Sequence, residues 1–350
     1  MHDVTYSAAQ WQEICRRILA AWGTPEDITG CVAHSLVDAD LAGVHSHGVL
    51  RIPSYYNCVK RGWYEPAARP EVVRAEGVMA LVDGHWGFGQ VAMHLGLSVA
   101  MEQARAQGMA GVGVVHAGHV GRLGEYVERA AAENMIALMG TSSGGNTGLV
   151  APYGGTERIF STNPIAAAVP ARAHPPFVMD FATTVVAAGK IELASNQEMP
   201  IAPGIGIDAE GRPATVAREV VQGGAMLPFG GHKGYALVLL TELLAGALTG
   251  AGVAGLPAGT HSRRPGSNAS FLIVIDVAHM TETEEFYADV DGLFDRLKQI
   301  RPAPGVREVL IPGEPEAAAR SRSAGAGITI EGATWEQIAA VATECGATLD

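Results

Sequence analysis

The stretch VMALVDGHWGFGQVAMHLGLSVAMEQARAQGMAGVGVVHAG, residues 78–118, places a helical segment between two short apolar runs. The runs VMALVDG (78–84) and MAGVGVVHAG (109–118) contain several valines and end in glycine, which is typical of buried strands. The segment QVAMHLGLSVAMEQARAQG (90–108) is long enough, and periodic enough, to predict a helix. An alternation of strand, helix and strand indicates a protein of the α/β class.

The same alternation continues through the middle of the chain. We expect helices at 125–134, 183–198 and 232–249, and further strands at MIALMG (135–140), PIAAAVP (164–170), PFVMDFA (176–182) and ASFLIVIDV (269–277). The predicted fold is therefore an α/β fold.

Both ends of the chain have a helical pattern instead. Ser7 and Gln10 have the spacing of a capping box, and Thr24-Pro25-Glu26 predicts the capped start of a second helix. A third helix is predicted from Ile52 to Gly62, and from about residue 281 the chain returns to helices around two short strands. At 350 residues we expect two lobes. We assign residues 1–72 with 281–350 to a discontinuous helical lobe, and 73–280 to the lobe that contains the sheet.

The composition excludes several functional classes. Hydrophobic residues make up 48% of the chain and charged residues 17%, which favours a large buried core. A net charge of −12 repels phosphate backbones and anionic lipids, so neither nucleic acid nor a membrane is an expected partner. The four cysteines form no Cys-x-x-Cys pair and fall in predicted helices, as free thiols of a cytoplasmic protein do. No signal peptide or spanning segment is expected.

Two motifs suggest other functions and lack the context those functions require. Gly87-x-Gly89-x-x-Ala92 has the position of a dinucleotide fingerprint, but the next strand ends in His116 and supplies no acid for a ribose. Residues 140–144, Gly-Thr-Ser-Ser-Gly, match the nucleophile elbow of a serine hydrolase, but no helix can follow them in GGNTGLVAPYGG. We therefore favour a plain helix start for the first motif and consider a hydrolase improbable.

Two pairs of histidines also raise the possibility of a metal site. His45 and His47 form one pair, and His116 and His119 form the other. Neither pair has a carboxylate or a cysteine at ligand spacing beside it. We expect no metal ion.

The octet HSHGVLRI (45–52) carries the most chemistry. A histidine titrates near neutrality and can give a proton to a carbonyl oxygen, and His47 is the candidate acid. Arg51 presents a planar fork that suits a substrate carboxylate, and Ser46 can orient the ring or relay its proton. The pair suits a 2-oxo acid. The alternative is a solvated loop in which Ser46 merely caps the third helix.

Two further positions have both a structural and a functional interpretation. Asp180, at the end of FVMDF, can cap a following helix, or it can raise the pKa of a nearby His47 and hold its tautomer. FGGHKG (229–234) puts Lys233 at a glycine-flanked helix start, which suits a phosphate but lacks the spacing of a P-loop.

Seven segments together resemble the type 2 malate/L-lactate dehydrogenase family over residues 5–345. These segments are SHGVLR (46–51), HVGRLGEY (119–126), LVAPYGG (149–155), STNPIA (161–166), DFATTVVAAGKIE (180–192), LPFGGHKGYAL (227–237) and PGEPE (312–316). Within the family, HVGRLGEY and PFGGHKGYAL look most like the hydroxycarboxylate dehydrogenase branch. His116-Ala117-Gly118 and SSGGNTG (142–148) depart from the family pattern, so the resemblance does not identify the substrate.

The resemblance implies a reductase that moves hydride between NADH or NADPH and a 2-oxo acid or its 2-hydroxy acid. It implies His47 as proton donor, Ser46 and Asp180 as its relay, Arg51 as the ligand of the substrate carboxylate, and Thr141 near the substrate. It places the cofactor, NAD or NADP, on His119, Val120, Gly121, Arg122, Leu123, Pro176, Phe177, Val178, Met179, Asp180, Phe181, Ala182, His232, Lys233, Gly313, Glu314 and Pro315. It also implies a cofactor lobe that is a mixed sheet rather than a Rossmann domain, and a homodimer.

Several alternatives remain at this stage. Within the family, reduction of a cyclic imine such as piperideine-2-carboxylate, or oxidation of ureidoglycolate, is the next interpretation. Outside it stand a serine hydrolase and a ligand-binding protein without turnover, although an intact acid, relay and anchor argue against the latter. Arg263 and Arg264 could meet the 2′-phosphate of NADP, but exposed loops carry arginines for many reasons.

Overall fold

A computed structural model describes residues 2–143, 148–256 and 264–349. The large sheet has seven strands in the order β2-β3-β4-β10-β5-β6-β7. The strands of the described chain are β1 Val4–Tyr6, β2 Glu71–Glu76, β3 Met79–Asp83, β4 Met109–Ala117, β5 Met135–Ser143, β6 Ile165–Val169, β7 Phe177–Phe181, β8 Gly206–Ile207, β9 Ala225–Met226, β10 Asn268–Asp276 and β11 Ile328–Ile330.

The sheet is mixed rather than doubly wound. Strands β3 and β4 run parallel, as a strand–helix–strand crossover requires, whereas the other neighbouring pairs are antiparallel. Strand β10 lies between β4 and β5 and pairs with both of them along its length. The prediction of a mixed α/β, non-Rossmann sheet is confirmed.

Helices pack against both faces of this sheet, and the helices of the two chain ends form a second core. The helices are α1 Ala8–Ala20, α2 Glu26–Leu41, α3 Ile52–Lys60, α4 Gly89–Gln107, α5 Gly124–Ala132, α6 Ala188–Asn196, α7 Ala217–Val221, α8 His232–Glu242, α9 Thr283–Lys298, α10 Glu314–Ala326 and α11 Gly332–Cys345. A π-helical turn, Leu243–Leu248, extends α8. Three 3-10 turns span His45–His47, Val49–Arg51 and Val277–His279.

Two separate hydrophobic clusters correspond to these two regions. Helices α4 and α5 pack on the sheet through side chains such as Met93 and Tyr126, whereas α1, α2, α3 and α11 pack around Trp11. Strand β1 pairs with β11, which joins the two chain ends. The lobe boundaries at residues 72 and 280 stay a prediction. No described helix is both long and apolar enough to cross a bilayer.

Three local expectations about secondary structure are wrong, and one strand of the large sheet was not predicted. The helix predicted at 183–198 begins only at Ala188, and one short strand, rather than two, lies in the C-terminal part. Strand β2 was not predicted because all six of its side chains are exposed, so no apolar alternation marks it. Thr24 caps nothing: Pro25 is the N-cap of α2, and the buried Thr24 hydroxyl has no partner in the described chain.

The glycines of the fingerprint-like motif have a packing role instead of a phosphate-binding one. Gly89 is the first residue of α4, and a Cβ added there would lie 2.1 Å from the carbonyl oxygen of Gly118. The backbone of His119 lies 2.7 Å from the same point. Glycine is required because the helix start touches the loop that follows β4.

We predict that Gly89→Ala destabilises the protein by about 2 kcal/mol or more, because backbone atoms must move to make room. The measurement is the midpoint of thermal or urea unfolding. Gly292→Ala is the matched control, since an added Cβ meets nothing within 4 Å in the middle of α9 and alanine favours a helix. Equal stability of Gly89→Ala and wild type would contradict this account of the contact.

Candidate active site

A buried carboxylate shapes the turn that contains the histidine pair 45 and 47. Asp40, on α2, accepts hydrogen bonds from the ring of His45 at 2.8 Å and from the backbone N–H of Val49 at 2.8 Å. A Cβ at Gly48 would lie about 2.1 Å from this carboxylate, so only glycine fits there. The hydrogen bond that His45 donates to Asp40 raises the pKa of His45. His45 is therefore a positioning group of the turn.

His47 projects from this turn into a pocket. Its Nδ1 atom lies 2.9 Å from the hydroxyl of Ser46. Arg51 donates from Nε to the carbonyl of Ser46 at 2.6 Å, and its two terminal nitrogens make no hydrogen bond within the described ranges. The N-cap of α3 is Arg51, so the interpretation of Ser46 as the cap of this helix is wrong. The hydroxyl of Ser46 orients an imidazole instead.

A second imidazole stacks on the first. The rings of His47 and His119 lie 5.4 Å apart at an angle of 21°. Gln90 donates to the hydroxyl oxygen of Tyr55 at 2.9 Å, which leaves the Tyr55 proton for Nδ1 of His119 at 2.8 Å. Gly121 also donates its N–H to this Nδ1 atom at 3.3 Å. Because Nδ1 only accepts, a neutral His119 carries its proton on Nε2.

Both imidazoles are held in the neutral form. Burial, followed by the charges of Arg51 and Arg122, lowers the pKa of His47 to about 3. Burial, followed by Arg51, lowers the pKa of His119 well below its usual value. The expectation that Asp180 raises the pKa of His47 is therefore wrong for the protein without ligands, because burial and the two cations lower this pKa.

Asp180 caps a helix, but not the one that follows it in sequence. Its Oδ2 atom accepts the N–H of Gly124, the first residue of α5, at 2.7 Å. The guanidinium Nε of Arg122 lies 4.0 Å from the same oxygen. Burial raises the pKa of Asp180, while Arg122 and the Gly124 amide act to lower it. Asp180 and His47 make no hydrogen bond with each other in the described structure.

These groups line one cavity of about 570 Å³, within the usual size range of small-molecule sites. The residues predicted from the sequence that line it are Ser46, His47, Arg51, His119, Gly121, Arg122, Leu123, Asp180, Phe181 and Ala182. Further lining comes from residues to which the sequence assigned no role, including Ser143, Leu149, Thr162, Thr184, Lys190 and Glu316. Several of these lie in STNPIA and DFATTVVAAGKIE. The resemblance of these two motifs to the family was the signal that could have identified them as lining residues.

The other predicted site residues lie away from the cavity wall. Thr141 is buried within the sheet, and its hydroxyl lies 2.7 Å from that of Ser270. His232 and Lys233 are exposed at the start of α8. The loop before them runs beside the cavity, since Phe229 donates its N–H to the carbonyl of Thr183 at 3.1 Å. Val120 and the strand residues Pro176, Phe177, Val178 and Met179 are likewise outside the lining.

The segment Gly313-Glu314-Pro315 lies directly against β7. Val178 donates its N–H to the carbonyl of Pro312 at 2.9 Å, and a Cβ on Gly313 would lie 2.9 Å from the carbonyl of Pro176. The Glu314 carboxylate accepts hydrogen bonds from Lys298 at 2.9 Å and from the Ile311 amide at 2.8 Å. Three separate segments that the resemblance assigned to the cofactor, 119–123, 176–182 and 313–315, are thus neighbours in space.

Residues of the motifs that suggested other functions make structural hydrogen bonds and ion pairs instead. Ser142, the serine of the elbow-like motif, is buried and donates to Glu242 at 2.7 Å, while residue 144 of that motif lies outside the described residues. His116 lies 2.8 Å from a carboxylate oxygen of Asp83. Arg264 pairs with Glu65 at 3.0 Å, and Arg263 lies outside the described ranges. No described group of three or more ligating side chains could hold a metal.

Comparison with known proteins identifies the class. The family model described as malate/L-lactate dehydrogenase matches residues 6–339. An L-lactate dehydrogenase from Cupriavidus necator is 35% identical over 93% of this chain and 94% of its own. Δ1-Pyrroline-2-carboxylate/Δ1-piperideine-2-carboxylate reductases of Pseudomonas are also relatives.

Solved structures agree with this assignment. The sulfolactate dehydrogenase of Methanocaldococcus jannaschii superposes with a TM-score of 0.89 at 32% identity, covering 99% of this chain and 98% of its own. The malate dehydrogenase of Pyrococcus horikoshii gives 0.88 at 32% identity, covering 99% and 97%. The protein is therefore an oxidoreductase that acts on hydroxy acids. It belongs to the malate/L-lactate dehydrogenase family.

Proposed function

We propose that this enzyme interconverts a 2-oxo acid and its 2-hydroxy acid with a nicotinamide cofactor, and that His47 is its acid–base group. The observation that carries the proposal is the placement of His47 and Arg51 on one short turn, both facing the same cavity. A fixed guanidinium beside an imidazole matches a substrate whose carboxylate is next to its reacting carbonyl.

Arg51 binds the substrate carboxylate through its two terminal nitrogens, while its Nε atom keeps the side chain fixed on the Ser46 carbonyl. His47 then faces the oxygen of the adjacent carbon and gives it a proton during reduction, or takes one during oxidation. Ser46 holds the ring through Nδ1 and leaves Nε2 for the substrate. The relay of Ser46 and Asp180 stays part of the proposal, with Asp180 on the wall of the same cavity.

The carboxylate of a bound substrate also adds a negative charge that the free site lacks. The pKa of His47 is about 3 partly because Arg51 is cationic. A bound carboxylate offsets this charge and raises the pKa of His47, since an anion stabilises the imidazolium. Proton uptake is thereby coupled to the arrival of the 2-oxo acid, and the neutral ring of the free enzyme is ready to accept a proton from a 2-hydroxy acid.

The residues around the cavity fit NAD or NADP. His119, Gly121–Leu123 and Asp180–Ala182 border the cavity, and Gly313 packs against the backbone of β7 next to them. His232 and Lys233 offer an exposed cation and the amides of a helix start to a phosphate. When bound, the nicotinamide supplies or accepts the hydride. The neutral His119, with its proton on Nε2, is a fixed donor for a ligand carbonyl in the same space.

We predict that His47→Ala lowers kcat by about 10² to 10⁴, the usual contribution of a positioned general acid, and leaves cofactor affinity nearly unchanged. The measurement is oxidation of NADH and NADPH with pyruvate, oxaloacetate, glyoxylate, hydroxypyruvate, phenylpyruvate and piperideine-2-carboxylate. Cofactor binding is followed separately by fluorescence. Near-wild-type turnover of the variant would refute the role of His47, and a wild type that reduces only the imine would replace the oxo-acid proposal with the alternative.

Arg51→Lys tests the carboxylate anchor. Lysine keeps the charge and loses the planar fork, so we expect KM for the oxo acid to rise about tenfold or more while the cofactor Kd is constant. Arg69→Lys, at an exposed pair with Asp27, is the matched control and should leave both constants unchanged. A parallel change of KM and Kd in Arg51→Lys would indicate a structural role.

We also propose that the enzyme is a cytoplasmic homodimer. Its four cysteines are free thiols, which supports a reducing compartment. Met79, Met109 and Leu248 line one apolar groove between the sheet and the π-helical turn, and their exposed fractions are 49%, 47% and 64%. Exposed apolar grooves mark protein contacts, and a two-fold dimer buries the same surface of both copies.

Leu248→Asp should convert the dimer to a monomer, because it places a charge in the proposed interface. The measurement is the molar mass from sedimentation equilibrium. Leu293→Asp is the control, since Leu293 is 56% exposed on α9, away from the groove, and should leave the mass unchanged. The groove is not the interface if Leu248→Asp remains a dimer, and the dimer proposal fails if the wild type is a monomer.

A further inference from the structure

A network of charges connects the helices of the two chain ends to Asp180. Arg122, just before α5, forms a bidentate ion pair with Glu128. One of its terminal nitrogens lies 3.1 Å from a carboxylate oxygen. The same nitrogen of Arg122 also lies 3.5 Å from Asp38 on α2. Arg320, on α10, binds both Asp38 and Glu128 at 2.9 Å. The network therefore brings together α2, α5, α10 and the site strand β7.

Arg122 is the buried centre of this network. Its side chain is 1% exposed, and its Nε atom has no hydrogen-bond partner in the described chain although it faces Asp180 at 4.0 Å. The guanidinium occupies the space where a side chain on Gly124 would lie, since a Cβ there would be 2.4 Å from a terminal nitrogen. The start of α5 is thus built around this cation, which is too enclosed to serve as a freely accessible phosphate ligand.

We propose that Arg122 is a positioning residue that sets the protonation of the catalytic histidine, and that Glu128 adjusts its effect by partly neutralising it. The inference rests on the proposed role of His47. Its geometric basis is that the buried guanidinium of Arg122 lines the same cavity as His47. This guanidinium contacts Glu128 on one side and faces Asp180 on the other.

The charges around His47 explain why Arg122 matters in the working enzyme. Arg51 lies on the same turn, His119 follows β4, Asp180 lies on β7, and Glu316 reaches the cavity from α10. Arg51 and Arg122 are the two cations that lower the pKa of His47. When the substrate carboxylate offsets the charge of Arg51, Arg122 is the one of these two cations that still lowers the pKa of His47. Glu128 opposes it, as it does at Asp180, where Arg122 lowers the pKa and Glu128 raises it.

The test compares variants that disrupt the same network with opposite changes of charge. Arg122→Gln removes a cation, so the pKa of His47 rises. Oxidation of a 2-hydroxy acid needs neutral His47. The acidic limb of the pH profile of the oxidation rate should therefore move upward by about one pH unit. Glu128→Gln removes the opposing anion, so that limb should move downward. Arg122→Lys keeps the charge and should keep the limb near its wild-type position even if the protein is less stable.

The titration of His47 provides a readout that does not need turnover. Labelled histidine is followed by NMR in the protein without cofactor, and the His47 signal is assigned by its loss in His47→Ala. Arg122→Gln should begin to protonate at a higher pH than wild type, and Glu128→Gln at a lower pH. Arg172→Gln, at an exposed pair with Glu284, is the matched control and should leave both readouts unchanged.

Opposite shifts in the two variants support the proposal, because damage to the fold would move both in the same direction. Shifts of equal sign, or no shift in folded variants, overturn the proposal and show that Arg122 has only a structural role. If the wild type oxidises no 2-hydroxy acid while the NMR shifts are opposite, the proposed function fails and the electrostatic role of Arg122 stands.

Discussion

The arrangement of the site depends on β10, which enters the middle of the sheet from late in the chain. It pairs with β4 and β5 along its length, and His119 lies in the loop after β4, while Ser143 is the last residue of β5. The side chain of Asn268, the first residue of β10, accepts from the Val120 amide at 3.0 Å and donates to the Ser143 hydroxyl at 3.2 Å. One long-range strand thereby fixes the sheet and the spacing of two walls of the cavity.

The histidine turn depends on a second constraint, the buried carboxylate of Asp40. Burial alone disfavours a charged carboxylate and raises its pKa, while the hydrogen bonds from His45 and Val49 counteract this effect. The short 3-10 turns have few backbone hydrogen bonds of their own, so the Asp40 contacts hold Ser46, His47 and Arg51 in register. Because the turn is anchored from α2 rather than from the sheet, the acid–base group and the His119 loop belong to different parts of the fold and meet at the cavity.

The sequence predicted features that depend on local pattern and missed those that depend on distant contacts. The strands 109–117 and 268–276 and the capping box at Ser7 follow directly from apolar runs and spacing. The sequence left Asp180 either as a cap of the following helix or as a partner of His47, and in the structure it caps α5, whose first residue lies 56 positions earlier. Ser46 has the residue type of a cap and instead binds a histidine ring. The pKa of His47 is lowered mainly by burial and then by Arg51 and Arg122, of which Arg122 is far away in sequence. Spacing along the chain contains no information about such partners until the topology is known.

The walls of the cavity differ in how their side chains are held. His47, Arg51 and His119 are fixed by hydrogen bonds to Ser46 and Tyr55, so a change in their position would disturb several contacts at once. The remaining lining, at Leu149, Thr184 and Lys190, comes from segments outside the large sheet. Leu149 and Thr184 lie in loops, which accept substitution more readily than sheet strands do, and Lys190 lies on α6. We expect the shape and charge of this part of the lining to influence substrate choice among the relatives, which are named for malate, lactate and sulfolactate.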